Sequence, residues 1–294
     1  MKLLVAKSAG FCFGVKRAMD MALKAAKKNP DQLYTLGPLI HNPQAVEFLK
    51  ELGIKVKDRV ERIPHGTVIF RSHGVSSGDL KKARRRKLRI IDATCPIVKK
   101  AQYYANYLHR QGYALLIVGE AQHPEVEAIR SYLDEGVMVV DHVTAVHELG
   151  PWEKLGIIAQ TTQSVGLFKE IVASCLERAR EVRVFNTMCR ATMIRQREAL
   201  EIAKKVDCMI VIGGYDSGNT RRLAAICGEI QPHTHHIETA RELNPKWLAK
   251  REKIGLTAGA STPSWIIKEV EEEVHRLKGW PLHKGGRYSK GSKI

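Results

Sequence analysis

Three times along the chain a short apolar run ends at a cysteine and a helical stretch follows. Leu3, Leu4 and Val5 lead into "SAGFCFGV" around Cys12, "LRIIDATCP" carries Cys95, and "VRVFNTMC" ends in Cys189. Between these points, apolar runs of four to six residues alternate with helical stretches, the pattern of a parallel α/β protein. Strand candidates close near Gly10, His41, Val56, His73, Cys95, Gly119, Val140, Gln160, Cys189, Gly213, Ile237 and Ala258. The repeat, about 90 residues long, exceeds any solenoid unit. It predicts three similar α/β lobes with mainly parallel sheets around a pseudo-threefold axis. The expected lobes are 1–95, 96–187 with Cys95 at its start, and 188–280, with 281–294 left as a basic tail, read as a mobile extension.

The residues at the other strand ends repeat as well. "YTLGPLIHN" delivers His41, 29 residues after Cys12, and "VIFRSHG" delivers His73. "LLIVGEAQHPE" delivers His123, 28 residues after Cys95, and "GIIAQTTQS" delivers Thr161. "MIVIGGYDSGN" delivers Ser217, 28 residues after Cys189, and "IGLTAGAST" delivers Ser261. Open parallel sheets bind ligands beyond the carboxyl ends of their strands. Three lobes facing one another would therefore gather three thiols and a set of polar side chains at one centre.

Helical spacing after the cysteines supports this reading. Val15, Ala18, Met19, Ala22 and Ala26 share a face, as do Ala199, Ile202, Ala203 and Val206, and Pro96 suits a first helical turn. A thiol near a helix amino terminus is favoured as thiolate. The plainer role for a cysteine is that of a small buried hydrophobe. Cys175 in "IVASCLER", Cys208 at the head of an apolar run and Cys227 in "LAAICGEI" fit that role.

Three thiolates with no fourth protein ligand suit either a 4Fe-4S cluster with one open iron or a catalytic zinc with an open position. The sequential cysteine spacing of ferredoxins is absent, as are a Walker loop, a G-x-G-x-x-G turn and H-E-x-x-H. The histidines, hydroxyls and Asn219 form a donor-rich set suited to phosphate oxygens. "GGYDSGNTRRL" adds glycine-rich amides at a strand-to-helix turn, a second anion-binding device.

A formal charge of +17 favours an anionic partner, whether nucleic acid, acidic protein or phosphorylated substrate. Nucleic-acid binding is one alternative and a three-cysteine zinc hydrolase another. Basic runs such as "KKARRRKLR" lack interleaved aromatics, which are 6% of the chain, so the stacking platforms of nucleic-acid binders are missing. No run approaches the ~20 apolar residues of a membrane span, and the amino terminus lacks a secretory pattern. A cytoplasmic protein is expected, with no membrane or nucleic-acid partner. Disulfides are rare there, which leaves the six cysteines as core residues, ligands or catalytic thiols.

"GFCFGVKRA", "YTLGPLIHNP", "RSHGV", "DATCP", "HPEVE", "AQTTQS", "NTMCRAT", "SGNTRRL" and "TAGASTP", in this order over about residues 1–278, resemble the 4-hydroxy-3-methylbut-2-enyl diphosphate reductases of the non-mevalonate isoprenoid pathway. The resemblance implies three lobes around one 4Fe-4S cluster per chain, ligated by Cys12, Cys95 and Cys189. It implies removal of the C4 hydroxyl of an allylic diphosphate with two electrons and protons, giving isopentenyl and dimethylallyl diphosphate. The diphosphate pocket falls on His41, His73, His123, Ser217, Asn219 and Ser261, with Gly218 contributing backbone where many relatives have serine. Tyr215 and Asp216 stand in place of an expected Lys-Asn pair, and Ser264 in place of an expected Asp.

Two further expectations concern the chemistry. Glu125 is expected to be the proton source, with Thr161 as relay and His123 beside it. A helix start would keep that carboxylate ionised, whereas burial and a nearby negative cluster would raise its pKa, and the role requires the second effect to be substantial. Glu127 should face away. Ser76 with Asp79 three residues on reads as a capping box, opening a helix with Leu80 and Ala83 inward and Lys81, Lys82, Arg85 and Arg86 outward. That basic face is expected to steer an acidic electron donor of the ferredoxin or flavodoxin type.

Overall fold

A computed structural model describes residues 2–28, 32–133 and 136–281. The chain opens with β1 (Lys2–Val5), α1 (Phe13–Lys28), β2 (Leu33–Leu36), α2 (Pro43–Glu51), β3 (Lys55–Lys57), β4 (Thr67–Phe70), α3 (Ser77–Arg85), β5 (Arg89–Asp92) and α4 (Pro96–Arg110). It continues through β6 (Ala114–Val118), α5 (Pro124–Arg130), β7 (Val137–Val140), α6 (Thr144–His147), β8 (Trp152–Ala159), α7 (Val165–Leu176), β9 (Ala179–Phe185) and α8 (Arg190–Ala203). It closes with β10 (Cys208–Ile212), α9 (Gly218–Ile230), β11 (Thr234–Ile237), α10 (Pro245–Leu248), β12 (Lys253–Ala258) and α11 (Ser264–Lys278). None of the described helices is long and apolar enough to cross a membrane. Apart from Pro281, the expected basic tail lies outside the described residues.

All strand pairs are parallel, in three sheets of four: β3-β2-β4-β5, β7-β6-β8-β9 and β11-β10-β12-β1. Each sheet places its second strand outside its first, then runs through its third to its fourth, so one unit is built three times. The middle strands are apolar without alternation because both faces are covered. Ile210, Ile212, Leu256, Leu116 and Ile117 are all fully buried.

The repeat reaches single hydrogen bonds. The first strand of each sheet ends at a glycine whose N–H donates to the outer strand: Gly37 to Lys57, Gly119 to Val140 and Gly213 to Ile237. The third strand ends in a tight turn, closed by Gly74 N–H to Arg71, Gln163 N–H to Gln160 and Thr262 N–H to Gly259.

The expected lobe boundaries move in one respect. β1, expected in the lobe 1–95, pairs with β12 in the register Lys2 with Lys253 to Val5 with Leu256, and so completes the sheet of the carboxy-terminal lobe. β5 and β9 likewise close the sheets of the first and second lobes, so each cysteine follows the last strand of a sheet rather than opening a new one. β12 has β10 on one edge, and β1 fills the other in parallel register, so the polar backbone of that edge is paired. The chain divides into two compact units. One comprises the residues up to Phe13, His41–Ala45 and those from Arg190 onward; the other comprises Gly14–Ile40 and Val46–Cys189, including two of the three sheets.

Local signals account for the helices that matter below. α1 buries Val15, Ala18, Met19 and Ala22 on one face. α4 begins with Pro96 in its first turn, directly after Cys95 as N-cap. Half of the expected capping box of α3 forms: the Ser76 hydroxyl accepts from Asp79 N–H at 3.0 Å, but the short Asp79 carboxylate accepts from that hydroxyl at 2.8 Å rather than from the Ser76 N–H; Ala83 is buried and Leu80 packs on the core. Such a cap contributes about 1 kcal/mol.

Candidate active site

Cys12, Cys95 and Cys189 immediately precede α1, α4 and α8, at the carboxyl ends of the fourth strands. Each main-chain N–H donates to the turn after the neighbouring third strand: Cys12 to Ala260 O at 3.1 Å, Cys95 to Ser72 O at 2.9 Å and Cys189 to Thr161 O at 2.8 Å. The three thiols are partly exposed, and none of the six cysteines forms a disulfide. Cys175, Cys208 and Cys227 are buried in the core, as expected. Burial pushes their thiols up to about 11, 11 and 12, which removes them as ready thiolates.

In the unit that holds Cys95 and Cys189, Glu125 lies one residue into α5, 1% exposed. Its Oε1 accepts from Thr161 N–H and its Oε2 from the Thr161 hydroxyl, both at 2.6 Å. Burial raises its pKa to about 7, against the lowering effect of those two hydrogen bonds. Desolvation therefore wins over the helix start, and the acid is part-protonated near neutral pH. Glu127 is exposed on the other side of the helix.

His123 is the N-cap of α5, its Nδ1 accepting from Glu125 N–H at 3.1 Å. In a neutral ring this puts the proton on Nε2. His73 meets His123 edge-on, with centroids 5.7 Å apart.

The other unit holds the remaining polar strand ends. Ser217 is the N-cap of α9, accepting from Thr220 N–H at 3.3 Å, with Gly218 and Asn219 as the first two helical residues, both buried. The Ser261 hydroxyl donates to His41 O at 2.9 Å. Gly213 has φ +145°, and a Cβ there would lie 2.5 Å from Thr262 Oγ1, so this turn requires glycine. His41, Ser217, Gly218, Asn219 and Ser261 are thus grouped in one unit, and His73, His123, Glu125 and Thr161 in the other.

The family model described as LytB protein matches residues 3–275. The chain belongs to the LytB family. It is 54% identical over 277 residues to the 4-hydroxy-3-methylbut-2-enyl diphosphate reductase of Trichlorobacter lovleyi, covering 94% of this chain and 99% of that protein. It is 52% identical over 277 residues to that of Geotalea uraniireducens, covering 94% and 98%. A solved reductase described as the terminal enzyme of the non-mevalonate pathway is similar at 44% identity and TM-score 0.69, over 94% of this chain and 100% of that one. The reductase of Plasmodium falciparum is similar at 27% identity and TM-score 0.87, over 92% and 86%.

Tyr215, one of the residues read from the sequence as replacing an expected motif residue, has a defined setting in this LytB chain. Its hydroxyl donates to the Glu242 carboxylate, its N–H donates to Glu238 Oε1 at 2.7 Å, and its carbonyl accepts from Arg221 at 3.0 Å. Burial and the Glu242 carboxylate push its phenol up to about 12, so it remains a neutral donor. Two residues missed by sequence reasoning are Asp92 and Asn186, whose side chains accept from Thr94 N–H at 3.0 Å and Met188 N–H at 3.1 Å. The signal was available: an Asx residue stands three positions before both Cys95 and Cys189.

Proposed function

We propose that this chain removes the C4 hydroxyl of 4-hydroxy-3-methylbut-2-enyl diphosphate as water, consuming two electrons and two protons and releasing isopentenyl and dimethylallyl diphosphate. The observation that carries the reading is the triple placement of Cys12, Cys95 and Cys189, each partly exposed before a helix amino terminus while the other three thiols are buried. Soft thiolates in that setting fit a 4Fe-4S cluster, one per chain. When bound, such a cluster supplies the electrons one at a time and a Lewis-acidic iron for the hydroxyl. The reading keeps the expected cytoplasmic address and needs no nucleic-acid partner.

The chain's own residues do the rest. His41, His73, His123, Ser217, Asn219 and Ser261, with the Gly218 backbone, donate hydrogen bonds to the diphosphate and fix its orientation. Glu125, part-protonated near neutral pH, in its acid form gives its proton to Thr161 Oγ1, 2.6 Å away, as the Thr161 hydroxyl proton passes to the leaving hydroxyl. An anaerobic assay of iron-reconstituted protein with the allylic diphosphate and a chemical reductant tests the reading. Both products should form, and a protein that binds iron but leaves the substrate unchanged would overturn it.

The electron donor is proposed to be a small acidic ferredoxin or flavodoxin guided by the basic face around α3. Lys81, Lys82, Arg85 and Arg86 are all exposed, although Lys82 pairs with Glu61 at 2.7 Å and Arg86 donates to Ile63 O at 2.9 Å. Neutralising the four together should slow ferredoxin-driven turnover about tenfold at low salt and flatten its salt dependence. Turnover with a chemical reductant should be unchanged. Equal rates with both donors in variant and parent would show this helix to be ordinary surface.

A further inference from the structure

The three cysteines occupy equivalent places but are delivered to them differently. Cys95 stands three residues past β5 and Cys189 four past β9, whereas Cys12 stands seven past β1. Both short approaches are bent by the Asx turns of Asp92 and Asn186. The approach to Cys12, "AKSAGFC", contains no Asp or Asn. A longer loop has more conformations to lose on ordering, so something else must hold it.

That role falls to α8. Arg195, only 3% exposed, donates Nη2 to Gly10 O at 2.9 Å and Nη1 to Ala258 O at 2.7 Å. Gly10 lies two residues before Cys12, and Ala258 lies two before the residue whose carbonyl accepts the Cys12 N–H. Three positions along α8, Glu198 Oε1 accepts from Lys7 N–H at 2.6 Å, and Oε2 accepts from Ser8 N–H at 2.8 Å and the Ser8 hydroxyl at 2.5 Å. Burial alone would raise the Glu198 pKa, but the bonds from Ser8 and Lys7 hold it below the usual carboxylate range. Gly10 itself has φ +98°, and a Cβ there would come within 3.2 Å of Ile267. The loop is therefore gripped at residues 7, 8 and 10 by two side chains of one helix, with charge-assisted bonds in every case.

We propose that Arg195 and Glu198 are positioning residues for Cys12, performing from α8 the task that Asp92 and Asn186 perform locally for Cys95 and Cys189. The proposal rests on the reading of Cys12 as an iron ligand. One ligand of the three is thus set by side chains remote in sequence, and its hold on iron depends on them.

The test uses full-length, iron-reconstituted protein under anaerobic conditions. Release of iron to EDTA is timed, the electron paramagnetic resonance spectrum of the reduced cluster is recorded, and the melting temperature is measured. Glu198→Ala should release iron about tenfold faster, the range reached when the support of a metal ligand is removed, with an altered spectrum. Glu198→Gln, which keeps an acceptor for one of the N–H groups, should fall between this variant and the parent. Should Glu198→Ala not fold, Ser8→Ala removes a single contact and should shift release in the same direction by less. A lower melting temperature with the parent's release rate and spectrum would show a merely structural role and overturn the proposal. A parent that takes up no iron overturns the cluster reading and this proposal together, whereas unchanged release in the variants of an iron-holding parent overturns this proposal alone.

Discussion

Glu125→Gln should keep its cluster and bind substrate, yet turn over about 10²–10⁴ times more slowly, the usual contribution of a positioned proton donor. The glutamine amide has the shape of the carboxyl, and its oxygen can still accept from Thr161 N–H, so the fold should tolerate the change. Glu127→Gln, on the exposed side of α5, should behave like the parent. The same pair gives a pH signature. With a pKa of about 7, the parent's acid is lost as pH rises through neutrality, and turnover should fall tenfold per unit above that point.

Stability should respond in the matching direction. The folded pKa lies above the unfolded value of 4.5, so the folded state binds more protons between about 4.5 and 7, and stability falls as pH rises through that window. The loss is on the order of 3 kcal/mol. Thermal melts at pH 8 should therefore find Glu125→Gln at least as stable as the parent. Equal turnover in Glu125→Gln and Glu127→Gln would remove Glu125 from the mechanism.

The second large effect concerns the thiols. Serine at position 12, 95 or 189 should cost most of the bound iron, because a hydroxyl is a hard and poorly ionised replacement for a soft thiolate. Turnover should drop by more than about a hundredfold, beyond what loss of outer support usually costs. Alanine at Cys175 or Cys227 leaves only a small cavity in the core and should retain the full iron content. Iron analysis and visible absorption of anaerobically purified protein check both halves. A complete cluster in any two of the three serine variants refutes the ligand assignment.

Much of this architecture is legible in the sequence. Strand ends fall near His73, Gly119 and Ala258 because apolar runs stop abruptly there at glycine or polar residues. The same logic leads to β10, whose short apolar "CMIVI" reads as a strand covered on both faces and is buried along its whole length. What could not be read was which strand lies beside which. "KLLV" contains nothing that names "KIGL" as its neighbour, because parallel pairing is decided by crossover helices and available edges rather than by local pattern. At the site, Glu125 could be picked out beside His123, but the outcome between helix start and burial could not, since burial is a property of everything packed around α5. Arg195 looks in sequence like any other basic helical residue, and only the packed structure reveals a guanidinium closed over Gly10 and Ala258.

The place of β1 in the last sheet bears on how the protein is made. Lys2 is made long before its partner Lys253. At ~5–20 residues per second the first strand waits about 10–50 s for its edge, while both sheets of the other unit can already form. The Cys12 loop inherits that delay, because Arg195, Glu198 and Ala260 all arrive late as well. Cys12 is the earliest of the three thiols to be made, yet it waits longest for the partner of its main-chain N–H, since Ser72 and Thr161 precede Cys95 and Cys189 whereas Ala260 follows far behind Cys12.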